Sequence, residues 1–413
     1  MKVDEAIEKL YEERTKRIKT AAELGKPDRV PVIFSLSYFP ARFADVKTSD
    51  AYYNFDKWKD AYIAAVKYLE PDRCGMTGSS SGYVLETMGA RQSKWPGHGA
   101  SENHSHQAVE MENMKADEYD LFLEDTADFM IRYVMPRTYE ALEPLDKLPP
   151  LYSAPGGIPY ALLASPEYTQ MFEKLMKAGQ YWLERQEQLK VLAKELYELG
   201  YGESGMIGAG GGAPFDMISD FLRGMRGAML DMHRQPDKLL EAIELQSKRQ
   251  LRRINALPQA KEFSLSFIAL HRGADGFMSN KQFEKFYWPY LLKSIKALIE
   301  KGYTPNIFFE GDYTSRLEYL LEIPKGKVVG RFDCSDTNKL KEIIHGHMCI
   351  SGVFPSSLLT AGTPQQVKDY CKWIIDYFGK DGGFIMTPGS SVDEAKPENL
   401  KTMVDFTKEY GRY

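Results

Sequence analysis

The run Asn306-Ile-Phe-Phe-Glu-Gly-Asp312 moves from apolar residues straight into an acid, a glycine and a second acid. That pattern predicts a buried strand that delivers Glu310 and Asp312 to its exit. A carboxylate is costly to bury unpaired, so one held at a strand mouth is suited to bind a metal, a proton or a cation. Acids after strands also cap helices, and Asp312-Tyr-Thr-Ser ahead of Arg316-Leu-Glu-Tyr-Leu-Leu fits a cap equally well. Glu310 is therefore the leading candidate, and Asp312 divides between the two roles.

Similar apolar runs end in other reactive side chains. His271 and Arg272 follow Phe263 to Leu270, Asp333 and Cys334 follow Val328 to Phe332, Phe354 follows Met348 to Val353, and Ser390 and Ser391 follow Phe384 to Thr387. His271, Glu310 and Cys334 together offer nitrogen, oxygen and sulfur donors, which would suffice for an open zinc site with a position left for substrate. Their spacing matches no recognised metal motif, and a structural thiol is the commoner fate of a cysteine such as Cys334. Two H-x-H pairs compete less well. His104-Ser-His106 lies in a polar stretch where solvated histidines are ordinary, and His345-Gly-His347 precedes a strand, facing the wrong end of it.

The elements that must position these groups alternate along the chain. Residues 3 to 25 carry apolar positions at helical spacing and feed the strand-like Val30-Pro-Val-Ile-Phe-Ser-Leu. A helix around Asp56 to Leu69, a short apolar segment at Asp72, a loop-rich stretch from Gly89 to His106, and long helices at about 166 to 199 and 233 to 256 follow. Short strands with helices between them, each buried on both faces, are what a (β/α)₈ barrel requires. No low-complexity linker interrupts the series, so the expectation is one barrel domain over 1–413 with an N-terminal helical extension over 1–27. The glycine-rich Gly205 to Asp216 segment lacks the Lys-Ser/Thr of a phosphate-binding loop and suits a close-packed turn. Near it, Arg223 and Arg226 suit surface ion pairs or an anionic group.

Composition narrows the function. The chain has 413 residues, a net charge of -5 and scattered Lys and Arg, which gives no basic field for nucleic acid. Its N-terminus is charged from the start, and no apolar run approaches the roughly 20 residues needed to span a bilayer. Four cysteines without CxxC spacing point to a reducing, cytoplasmic setting.

In combination, Asp28-Arg-Val-Pro-Val, Ser279 with Phe283 and Trp288-Pro289, Gly352 with Leu358-Leu-Thr-Ala-Gly-Thr-Pro364, and Pro397-Glu-Asn-Leu with Glu409-Tyr-Gly-Arg-Tyr413 resemble the uroporphyrinogen decarboxylase superfamily over nearly the whole chain. The resemblance implies a (β/α)₈ barrel and two chemistries. Decarboxylases of the superfamily hold substrate carboxylates with an arginine-rich first-strand motif, of which Ser35 to Arg42 retains at most Arg42. Corrinoid-dependent methyltransferases hold zinc with a His-x-Cys pair and a late Cys, where this chain has Phe308, Glu310 and Ser390. Segments Glu110 to Asp120 and Pro214 to Gly224 resemble members that demethylate methoxylated compounds.

Soft thiolates suit a zinc that activates a thiol, whereas a carboxylate-rich site suits an oxygen partner. The expectation is therefore a methyltransferase that moves a methyl group from a small methylated, methoxylated aromatic donor to a corrinoid protein, which carries the cobalamin because an Asp-x-His-x-x-Gly motif is lacking here. Glu310, His271 and Asp333 would act in catalysis. Arg272, Asp312, Tyr38, Phe308, Ser390 and Arg42 would contact substrate, and zinc would sit on His271, Glu310 and Cys334. Decarboxylation of a tetrapyrrole or other polycarboxylate, with Arg42 and Arg272 on its carboxylates, is the alternative enzyme reading. A non-catalytic tetrapyrrole or corrinoid carrier is a third, and a homodimer is left open.

Overall fold

The computed structural model describes residues 5–75, 80–150, 159–201 and 211–413. Part of the glycine-rich segment, 202–210, thus lies outside the described residues, as do 76–79 between the second strand and Gly82. Two three-residue strands, β1 (Ile33–Ser35) and β2 (Arg73–Gly75), pair with each other in parallel. Three two- to four-residue strands, β3 (Ser93–Pro96), β4 (Gly99–Ala100) and β5 (Gln107–Ala108), make a small separate sheet where a loop was expected. Their backbone pairings are too few to leave an alternating pattern in the sequence.

The larger sheet runs β6 (Leu265–Leu270), β7 (Thr304–Phe309), β8 (Val329–Phe332), β9 (Cys349–Gly352), each pair parallel. The expected strand at 384–387 joins it to β1 through single parallel bridges, Ile350 to Phe384 on one side and Val32 to Met386 on the other. Seven parallel segments therefore follow one another in the order β2, β1, 384–388, β9, β8, β7, β6, with helices such as Phe55–Leu69, Trp288–Glu300 and Pro364–Ile374 between them in sequence. This is the arrangement of a (β/α)₈ barrel, with all its described strand exits at one end.

The opposite end is closed. Ile18, Ala21 and Ala22 of the helix Glu5–Ala22 pack against Ile33, Leu265, Val329, Cys349 and Ile385, whose side chains form an apolar floor. Cys349 is thus a packing thiol, pushed above its usual range by burial alone. His345 and His347 lie on this side too, where their Nε2 atoms meet the carbonyls of Phe378 and Ile323 at 3.1 and 2.9 Å. Among the described residues no helix is long and apolar enough to cross a membrane.

The floor is tied to the barrel by Asp72. Its buried carboxylate accepts from Arg17 at 2.6 Å, from Arg29 at 2.7 and 2.8 Å, and from the Val32 amide at 2.8 Å. Removing one member of a buried ion network leaves the others desolvated and unpaired, which costs about 3 kcal/mol or more. Asp72→Ala is therefore expected to lose about 3 kcal/mol of unfolding free energy. Urea denaturation followed by tryptophan fluorescence checks this, and a loss below about 1 kcal/mol, the scale of a surface pair, would contradict it.

Candidate active site

Two helical acids grip the exit of β6. The helix Pro214–Ile218 continues into a π-helical turn, Ser219–Arg223, and the i, i+4 spacing places Asp216 and Asp220 together. Asp216 is buried and accepts from the His271 amide at 2.9 Å, the Arg272 amide at 3.1 Å and the Tyr287 hydroxyl at 2.7 Å. Burial nevertheless pushes its carboxyl up to about 6, because desolvation outweighs those donors. Gly273 lets the chain pass this close: a Cβ there would fall 2.7 Å from the Tyr287 ring.

One turn later Asp220 takes the side chains. Its carboxylate lies 2.5 Å from His271 Nδ1 and 3.0 Å from an Arg272 guanidinium nitrogen. An ionised carboxylate only accepts, so Nδ1 carries the hydrogen and Nε2 is the atom left to face the barrel mouth. The Asp220 hydrogen bond raises the His271 pKa above its ordinary value; partial burial opposes this, and Asp220, Asp216 and Glu310 add electrostatic support. Glu310 stands 3.8 Å from Nε2, beyond hydrogen-bond reach, with an exposed side chain. The turn after it needs Gly311, whose φ of 93° is left-handed.

The structure thus assembles His271, Arg272 and Glu310 but not the zinc set. Arg331 and Asp333 share a face by strand alternation, and Cys334 falls one residue out of that register and is exposed. Among the described residues no group of three His, Cys, Asp or Glu side chains is arranged to hold a metal ion. His271 and Glu310 approach each other at the mouth, 3.8 Å apart, while Cys334 is exposed with its thiol beside Asp333, so the expected three-residue ligand set is not drawn together. A zinc ion does not fit the donors as they stand.

The remaining candidates occupy neighbouring places. Asp312 makes a local turn one residue ahead of the N-cap position of the helix Thr314–Glu322, its Oδ1 accepting from the Thr314 amide and hydroxyl at 2.8 and 2.5 Å. Ser390 bonds the Ser356 hydroxyl at 3.1 Å, and its carbonyl accepts from Arg331 at 2.8 Å. Phe308 lies under the Arg331 guanidinium, 4.5 Å from it. Tyr38 and Arg42 form a separate cluster at the β1 exit, where the Tyr38 hydroxyl meets Tyr52 at 2.7 Å and His106 at 2.9 Å, and Arg42 pairs with Glu394 at 2.7 Å. Asp220, Tyr287 and Arg331 are additions to the site residues expected from sequence.

The uroporphyrinogen decarboxylase (URO-D) family model matches residues 171–410, more than half of the chain. The chain belongs to the uroporphyrinogen decarboxylase family. Among solved structures, a methyltransferase from Methanosarcina mazei is similar, with a TM-score of 0.59 and 15% identity over 96% of this chain and 98% of that one. At that identity the likeness establishes the fold, and it agrees with the barrel described above. No curated protein matches the chain. The URO-D match runs from within the helix Pro166–Glu198 to the last helix, Pro397–Tyr410, so it contains both helical acids together with His271, Glu310 and Asp333.

In this family member the Asp220 bond is what raises the imidazole. Asp220→Asn is expected to lower the His271 pKa, because an amide gives no net charge to stabilise imidazolium. Titration of the His271 Cε1–H signal by heteronuclear NMR checks this, and an unchanged or raised midpoint in the variant would contradict it.

Proposed function

We propose that this protein is a methyltransferase that takes the methyl group from a small methoxylated aromatic compound and passes it to a corrinoid carried by a partner protein. The observation that carries the reading is the Asp220–His271–Glu310 series at the barrel mouth. The corrinoid would supply the strongly nucleophilic cobalt(I) that accepts the methyl group. What the chain itself must do is position the ether and manage the oxygen left behind.

His271 suits that task. As the methyl carbon–oxygen bond breaks, its electron pair stays on oxygen, and a phenolate or alkoxide is a poor leaving group unless it is protonated or electrostatically held. A protonated His271 carries a hydrogen on Nε2 that no described acceptor takes within hydrogen-bond range, so it can pass to the departing oxygen. Asp220 holds the ring and stabilises the imidazolium before transfer, while Arg272 pairs with the same carboxylate at 3.0 Å. Glu310, exposed beside Nε2, favours the charged ring and can return the proton from solvent after product leaves. The proton donor is thus assigned to His271, with Glu310 in support.

The decarboxylase alternative with Arg42 and Arg272 on substrate carboxylates finds both guanidiniums already paired, with Glu394 and Asp220. It is the weaker reading on that ground.

Incubation of the purified protein with methoxybenzenes and cob(I)alamin, followed by chromatography of the demethylated phenol, tests the proposal. Phenol release that needs both cob(I)alamin and the protein is expected. His271→Asn should slow it about 100-fold or more, the usual range for a positioned acid. Cys334→Ser should retain the wild-type rate. A His271→Asn variant as fast as wild type, or a Cys334→Ser variant without activity, would contradict the assignment.

A further inference from the structure

The long helix Pro166–Glu198 carries two apolar faces where folding uses one. Met171 and Ala178 turn inward and cluster with Met88, Ala141 and Leu142. Two turns past Ala178, Arg185 ties the helix to the Ala51 and Tyr52 carbonyls at 2.8 and 3.0 Å, so its rotation is fixed. The second face leaves Phe172, Leu175, Met176, Trp182 and Leu183 exposed, Met176 by 64% and Leu183 by 65%. Single exposed apolar residues are ordinary on a surface. Five on one helix face make a patch on the order of 500 Å², toward the upper end of what a monomer leaves open.

Gly179 lies at the centre of that face. With 3.6 residues per turn, all five apolar residues fall within about 60° of it around the helix axis. The charged residues of the same span, Glu173, Lys174, Lys177, Glu184 and Arg185, all lie about 120° or more away. A glycine inside a helix forfeits stability relative to alanine, and the packing of the described residues does not require one here, because a Cβ at Gly179 would meet no atom within 4 Å. What the missing side chain provides is room for another backbone to come close.

The pattern about Gly179 is also symmetric. Leu175 and Leu183 stand four residues to either side of it, and Met176 and Trp182 three. A two-fold axis through Gly179 that sets two such helices antiparallel therefore brings Leu175 of one protomer onto Leu183 of its partner and Met176 onto Trp182, with the two glycines at the crossing. An isologous contact needs one patch that complements itself, and apolar pairs at equal steps from a centre meet that condition.

We propose that this face docks a second copy of the chain, so that the protein is a two-fold dimer joined by antiparallel Pro166–Glu198 helices crossing at Gly179. The patch supplies more than half of the roughly 800 Å² per protomer that a standard stable interface buries, close to the apolar share of homodimer contacts. The net charge of -5 on each copy opposes association only weakly at this face, because its facing sector carries no charged side chain.

Sedimentation velocity at micromolar concentration tests the inference. Wild-type protein is expected at twice the 47.1 kDa mass of the chain. Leu183→Glu and Met176→Glu each bring two like charges into the facing sector, one from each protomer, and should raise the dimer dissociation constant at least about 100-fold. Circular dichroism establishes that each variant keeps its helix content; both positions are exposed in one protomer, and either variant suffices should the other not fold. The register is read separately. Leu175→Cys with Leu183→Cys, in a Cys334→Ser background that removes the exposed native thiol, should form an inter-chain disulfide under mild oxidation. Wild-type protein that remains a monomer at tens of micromolar would overturn the inference and leave the face to a different protein. Dimerisation undiminished in a folded glutamate variant, or a dimer whose double-cysteine variant stays uncrosslinked, would overturn it as well.

Discussion

A carboxyl group cannot be carried into a protein interior unless donors meet it there, and in this chain Asp216 settles where the functional end of the barrel is built. Its three partners are two successive backbone amides and a tyrosine hydroxyl, so it fixes the backbone of His271 and Arg272 directly. Asp220, one helical turn on, then needs only to reach the side chains of the same two residues. One short helix thereby sets both the position and the protonation preference of the imidazole. Each part loses its meaning without the other: an imidazole at an unfixed strand end would not hold a direction, and an unpaired Asp220 would have nothing to orient.

Below that rim the barrel changes character in layers. The floor is apolar and sealed by the N-terminal helix, the middle carries Arg73 and Arg331 among aromatic rings, and the rim carries His271, Glu310 and Asp333. Strand alternation produces this stacking, because inward positions on neighbouring parallel strands fall at matching heights: Arg331 pairs with Phe308 and Ser351, one level above Val329 with Asn306 and Cys349. In a low-dielectric interior such separated charges act over longer distances than in water.

How much of this could be read from the sequence follows from the range of each interaction. Strands and helices announce themselves through local periodicity, which is why the strand exits and with them His271, Glu310 and Asp333 stood out before any coordinates. A local role for Asp312 was legible for the same reason, since it bonds a residue two positions away. Asp220 was missed because its partner is 51 residues distant, and only its i, i+4 spacing from Asp216 hinted at a shared face. Arg331 was passed over as part of an apolar run, although a lone cation inside a strand buried on both faces was itself a signal. Cys334 was chosen for nearness to a strand end, when the facing of the side chain, one residue out of register with Asp333, was what mattered.

The central claim is that His271 donates a proton whose readiness is set by Asp220. The pH dependence of phenol release in the presence of cob(I)alamin, compared between wild type and Asp220→Asn, tests it most directly. A proton donor works only while protonated, so activity should fall as pH rises through the elevated pKa of His271, and the substitution should move that descending limb to lower pH. A limb that stays in place when Asp220 is neutralised would contradict the account and put the titrating donor on another residue.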